Sequence, residues 1–122
     1  MKKTAKGTCG KGAGLASRNL LSAEQALGLQ TLFKVLANDT RLRILHAIVR
    51  SGELCVTSIA DSLAMKPQAV SNQLQRLSDL GILSSRRDGN NMVYRVRNEC
   101  VEPLVELALC LTDGNCSSKR SG

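Results

Sequence analysis

Five cysteines have the widest chemical reach in this sequence: Cys9, Cys55, Cys100, Cys110 and Cys116. Their number is odd, which points to metal-binding or redox thiols more than to a disulfide framework. Thiolates select soft ions such as Cd(II), Pb(II), Hg(II), As(III), Cu(I) or Zn(II). The plainer alternative is that some of them are small buried hydrophobes. Cys100 and Cys110 are ten residues apart, about 15 Å along one helix. They cannot share an ion within a subunit, whereas two antiparallel copies of that helix across a dimer axis bring them together, with Cys116 folding back. His46, the only histidine, is read as a polar-face residue of an amphipathic helix and is assigned no catalytic role. The N-terminal glycines precede no strand-helix unit that would cradle a phosphate. An enzyme is not expected.

The second chemistry lies between Pro67 and Leu80. If Val70, Leu74 and Leu77 turn inward at helical spacing, the opposite side presents Gln68, Ala69, Ser71, Asn72, Gln75 and Arg76. A solvated helix usually shows a mixture of Glu and Lys. Here the groups are short or amide-bearing. Asn and Gln grip adenine bidentately in the major groove and Arg grips guanine. Ala and Ser let a helix sit deep. Phosphate contacts fall to the helix N-terminus with Lys66, Ser71 and Arg76. Arg86 and Arg87, facing Arg95 and Arg97 across a turn, make a basic loop suited to phosphates or a minor groove.

These groups need elements to position them. Ser22 with Gln25 fits a capping box, and Leu29, Leu32, Phe33 and Leu36 follow at helical spacing. Asn38-Asp39 offers the N-cap of a second helix, with Leu42, Leu45 and Val49 on one face and Gly52 at its end. Thr57 is read as the cap of a short third helix carrying Ile59, Ala60 and Leu63. Lys66-Pro67 opens the fourth, since Pro suits the first helical position, and Gly81 closes it. Ile82 to Arg87 and Met92 to Arg97 read as strands around Asp88-Gly89-Asn90-Asn91, a hairpin signal. A last helix is expected from about Asn98 to Asp113, with Val101, Leu104, Val105 and Ala108 on one side. Helices three and four, joined by Leu63-Ala64-Met65-Lys66, make a helix-turn-helix, and the hairpin makes a wing.

The expected fold is therefore mainly α with a β-hairpin, a winged helix-turn-helix over residues 19–113. Basic, glycine-rich residues 1–18 and polar residues 114–122 read as flexible tails. The chain has 122 residues, 43% of them apolar but only 2% aromatic. That gives one thin aliphatic core, which a homodimer would extend. Lys and Arg number 17 against 10 acids, a net charge of +7, which favours a polyanionic partner. No apolar run is long enough to span a bilayer, and no signal-peptide segment follows the basic N-terminus. A cytoplasmic protein with reduced thiols is expected.

The stretches Leu36-Ala37-Asn38-Asp39-Thr40-Arg41-Leu42-Arg43-Ile44-Leu45, Gly52-Glu53-Leu54-Cys55-Val56, Gln68-Ala69-Val70-Ser71-Asn72-Gln73-Leu74 and Leu80-Gly81-Ile82-Leu83 resemble the ArsR/SmtB family of metal-sensing repressors. The resemblance covers about residues 22–112. It implies a homodimer built on the first and last helices, bound to an inverted repeat of operator DNA and released by a metal or metalloid. The family often has His where Gln73 stands, a difference expected to alter base or phosphate contacts. In thiolate-sensing members, a cysteine at the place of Cys55 binds the ion with cysteines of the N-terminal tail, here Cys9 alone. Many members add a cysteine two residues later, where this chain has Thr57. The family's zinc sensors place ligands on the last helix, near Cys100 and one residue out of step with Cys110. The expected inducer is a soft ion, Cd, Pb, Hg, As(III) or Zn, held by Cys9 and Cys55, with Cys100, Cys110 and Cys116 as a second group. The alternative is a redox-responsive repressor switched by cysteine oxidation.

Overall fold

A computed structural model describes residues 14–114 of the chain. After a 3₁₀ turn at Leu15–Ser17 come α1 (Ala23–Leu36), α2 (Asp39–Ser51), β1 (Leu54–Cys55), α3 (Val56–Leu63), α4 (Pro67–Asp79), β2 (Leu83–Asp88), β3 (Asn91–Val96) and α5 (Val101–Asp113). The helix boundaries follow local chemistry. The Ser22 hydroxyl accepts the Gln25 N–H at 3.0 Å while the Gln25 side chain accepts the Ser22 N–H at 2.9 Å. Two of the N–H groups that a helix start leaves without partners are thereby satisfied. Asn38 caps α2 by accepting the Arg41 N–H at 3.0 Å. Gly52, at φ +88°, ends it in a conformation that side chains disfavour.

The core gathers where α2, α3 and α4 meet. Ile44, Ile48, Ile59, Val70, Leu74 and Leu77 are fully buried, and Leu45, Ala60, Ile82 and Leu83 nearly so. Burying each large aliphatic side chain stabilises the fold by about 1.5–3 kcal/mol. Only Leu36 of α1 and Val101 of α5 reach this core as buried residues. The outer faces of those two helices stay apolar and exposed, at Leu27, Leu29, Phe33, Leu107, Leu109 and Leu111.

The hairpin turns through Gly89 and Asn90, with Asp88 paired to Asn91. It belongs to a three-stranded antiparallel sheet in the order β1-β3-β2. The sequence offered no sign of β1, because two residues are too short to show a strand period. The hairpin strands run Leu83–Asp88 and Asn91–Val96, each one residue away from the expected Ile82–Arg87 and Met92–Arg97, and two helix starts also differ from expectation. The N-cap of α3 is Cys55, with Thr57 inside the first turn and no side-chain cap. The last helix begins at Val101, because the Asn98 side chain accepts the Cys100 N–H at 2.8 Å and holds residues 98–100 as a turn. Ala108, expected on the inner side of α5, is exposed. No helix among the described residues is long and apolar enough to cross a membrane. The segments read as tails lie largely outside the described residues.

Candidate nucleic-acid interface and thiol site

The turn before α4 decides how that helix is presented. Ala64 sits in the left-handed region at φ +56°. The Met65 N–H reaches back to the Ala60 carbonyl at 2.9 Å and the Ala64 N–H to the Asp61 carbonyl at 3.3 Å. This is the paired closure of a Schellman motif, achieved with alanine where glycine is usual. The chain then re-enters a helix at Pro67, with Lys66 as N-cap and no acidic residue in the first turn of α4. The positive end of the helix dipole is left uncancelled, as an anion-binding helix start requires.

The expected stripe of α4 is buried to 0% exposure at Val70, Leu74 and Leu77. Gln68, Asn72, Gln75 and Arg76 point to solvent, and Ala69 and Ser71 are half-buried beside them. Neighbouring side chains hold two of the amides in place. The Gln68 amide donates to the Asn72 side-chain oxygen at 3.2 Å, and the Gln75 amide donates to Asp79 at 2.9 Å. Lys66, Arg86 and Arg87 are exposed, the last two on β2. Arg86 pairs with Glu53 at 2.8 Å. Both partners are exposed, so solvent and salt screen the pair and a phosphate can displace it.

Gln73 departs from expectation. It is half-buried and turned inward, where its side-chain oxygen accepts Nε–H of Arg41 at 2.7 Å. It does not share the outward face of Gln68, Asn72 and Gln75. The partners are 32 residues apart, so no local pattern announced the contact. The Glu53–Arg86 pair was missed for the same reason.

Cys55 is half-buried where β1 meets α3. Its Sγ lies 3.3 Å from the Thr57 hydroxyl and 3.3 Å from the Ser58 hydroxyl. Hydrogen bonds from the Ser58 and Thr57 side chains, aided by their backbone N–H groups, lower its pKa from 9.0 to about 7 against a small opposing effect of burial. Thr57 thus gives a donor to the sulfur at the position where similar thiolate-sensing proteins often carry a second cysteine. In the sheet, Cys55 pairs with Val93 of β3, so one residue borders both the wing and the helix-turn-helix. Cys100 precedes α5 and Cys110 lies in its last turns, both half-buried, and Cys100 is disulfide-bonded where a reduced thiol was expected. Cys9 and Cys116 lie outside the described residues. Among the described residues, no group of three or more His, Cys, Asp or Glu converges as a metal site.

A tri-helical core, an outward-reading helix and an adjoining antiparallel wing define a winged helix-turn-helix. Residues 38–85 match the family described as "Bacterial regulatory protein, arsR family". The cadmium resistance transcriptional regulatory protein CadC of Listeria innocua serovar 6a is 36% identical over 77 residues, covering 63% of this chain and 65% of that protein. The chain thus spans just under two thirds of the first curated relatives it matches. The crystal structure of the antimony-specific transcriptional repressor AntR is 56% identical, with TM-score 0.74, covering 82% of this chain and 90% of that one. A homodimeric winged helix-turn-helix DNA-binding domain from Mycobacterium bovis is 30% identical, with TM-score 0.70, covering 85% and 95% of the two chains. The chain belongs to the arsR family of bacterial regulatory proteins.

Proposed function

We propose that the chain is a transcriptional repressor that binds operator DNA as a homodimer and is released when a soft thiophilic ion binds its cysteines. The observation that carries the DNA half is the outward, amide-rich side of α4 beside a basic hairpin. Gln68, Asn72 and Gln75 supply adenine-reading amides, and Arg76 a guanine-reading guanidinium. Ala69 and Ser71 keep the helix slim enough to sit deep. Lys66, the start of α4, and Arg86 and Arg87 of the wing engage phosphates. The exposed apolar faces of α1 and α5 form the dimer interface, and the related M. bovis domain is itself a homodimer.

Cys55 fits a soft ion in donor type, as a thiol already close to deprotonation at neutral pH. Further thiolates come from Cys9, or from a partner subunit in the second arrangement of Cys110 and Cys116, which Cys100 joins only once its disulfide is reduced. Bound there, the ion supplies strong thiolate bonds and favours one dimer geometry. Cys55 is tied through β3 to the wing and through α3 to the turn before α4. A pull on it reaches both DNA-contacting parts, and whatever weakens DNA binding in this way is itself weakened by DNA to the same factor. Relatives named for cadmium, arsenic, mercury and antimony supply four ions of the test panel, and thiolate preference adds lead and zinc.

The test is a gel shift on DNA upstream of the protein's own gene, with and without Cd(II), Pb(II), Hg(II), Zn(II), As(III) and Sb(III). Metal-free protein shifts the fragment, and at least one ion releases it. Cys55→Ser keeps the shift and loses the release. Release unchanged in Cys55→Ser assigns sensing to the C-terminal cysteines. Absence of any metal-free shift removes the repressor reading altogether.

A further inference from the structure

The side chain of Arg41 bridges three helices. It lies in the first turn of α2, half-buried. Its Nη1–H donates to the Val35 carbonyl at 2.9 Å, and its Nε–H donates to the Gln73 side-chain oxygen at 2.7 Å. Val35 stands in the last turn of α1, where carbonyls have run out of intrahelical donors. The two N–H groups that follow are engaged elsewhere, Ala37 with Phe33 and Asn38 with Leu36. One guanidinium therefore closes the end of α1, where a cation also meets the negative end of the helix dipole, and grips the middle of α4. Its planar fork fixes both directions at once, which a lysine point charge cannot do.

We propose that Arg41 and Gln73 are positioning residues for operator reading. They lock the angle between α1, with its exposed apolar face, and α4, which reads bases. This rests on the dimeric repressor reading above. In such a dimer, the separation of the two α4 helices must match the half-site spacing, and that separation depends on how α4 sits against the helix that carries the interface. Gln73 contributes its oxygen to Arg41 and makes no DNA contact of its own.

Glutamate at position 73 separates this role from a DNA contact. Gln73→Glu keeps an acceptor for Arg41 and strengthens it by charge. Gln73→Leu keeps the bulk and removes the acceptor, stranding a half-buried donor. Affinities for the upstream fragment and for an unrelated duplex are measured by fluorescence anisotropy at physiological salt, with dimerisation followed by sedimentation. Gln73→Leu and Arg41→Lys are expected to lose about tenfold in operator affinity, with binding to unrelated DNA and dimerisation unchanged. Gln73→Glu is expected to stay within about threefold of the parent. A Gln73→Glu protein that binds the operator worse than Gln73→Leu overturns the proposal, because a carboxylate is repelled only if position 73 faces phosphate. Parental operator affinity in Gln73→Leu overturns it as well. If Gln73→Leu does not fold, Gln73→Glu and Arg41→Lys decide between the same outcomes. Should the parent protein bind no DNA, the repressor reading falls first and takes this inference with it, a result distinct from either failure above.

Discussion

At the scale of single residues, the chemistry turns on two hydroxyls that hydrogen-bond to the Cys55 sulfur. The hydroxyls of Ser58 and Thr57, each 3.3 Å from Sγ, stabilise the thiolate by hydrogen bonding to the charged form. They bring its pKa down to about 7. The sign follows directly. Above pH 7 the sulfur is mostly thiolate and reactive, and as pH falls through 7 it takes up a proton and loses that reactivity. The alkylation rate of Cys55 by iodoacetamide, read by mass spectrometry of its peptide, is therefore expected to reach half its maximum near pH 7. In Thr57→Ala/Ser58→Ala the midpoint moves up toward the ordinary thiol value of 9.0. A midpoint that stays in place in the double variant would assign the shift to the start of α3 alone. The sequence named Cys55 as a candidate ligand but could not supply its acidity. Hydroxyls two and three residues ahead touch the sulfur only because a helix begins there, and that helix was expected to be capped by Thr57.

At the scale of elements, the turn between α3 and α4 carries the greatest consequence for its size. Ala64 holds a left-handed conformation at φ +56°, which costs an L-residue about 1–2 kcal/mol relative to glycine. Ala64→Gly relieves that strain but gives the unfolded chain more freedom, so a net gain of about 0–1 kcal/mol is expected. Ala64→Val adds a branched Cβ in a region such residues avoid, and a loss of about 1–2 kcal/mol is expected. Urea denaturation at a fixed protein concentration measures both, and a Val variant as stable as the parent would show that the turn relaxes to another conformation. The elements with strong local signals were legible in advance. Ser22-Gln25, Asn38-Asp39, Lys66-Pro67 and Asp88-Gly89 each bind or bend their own backbone, so a short window of sequence contains the cause. The α4 stripe of Val70, Leu74 and Leu77 was legible because burial on one side of a helix imposes its period on the residue types. What stayed hidden is non-local. β1 exists only because β3 offers Val93 and Tyr94 as partners, and Gln73 turns inward only because Arg41 meets it there. No window around either residue contains the other.

At the scale of the molecule, the distribution of apolar surface argues for a second copy of the chain. The α2–α4 core is closed, whereas Phe33 is 51% exposed, Leu27 61%, Leu109 56% and Leu111 80%. Large apolar groups collected on two helices that contribute little to the core are what an interface between subunits would cover. A two-fold dimer would also set two α4 helices against an inverted repeat, so dimerisation and operator affinity should fall together. Phe33→Glu places a carboxylate on the exposed apolar face of α1, in its last turn, without changing Ile44, Ile48, Leu74 or Leu77. The variant is expected to sediment as a folded monomer with parental far-UV circular dichroism. Each reading head then binds without its tethered neighbour, which removes a gain of about 10²–10⁴ in operator affinity. Binding to unrelated DNA falls much less, since the basic surface of each protomer is unchanged. A Phe33→Glu protein that remains dimeric would show that α5 alone holds the subunits together. One that becomes monomeric yet keeps its operator affinity would show that a single α4 and its wing suffice for recognition, and the half-site argument behind the Arg41–Gln73 clamp would lose its basis.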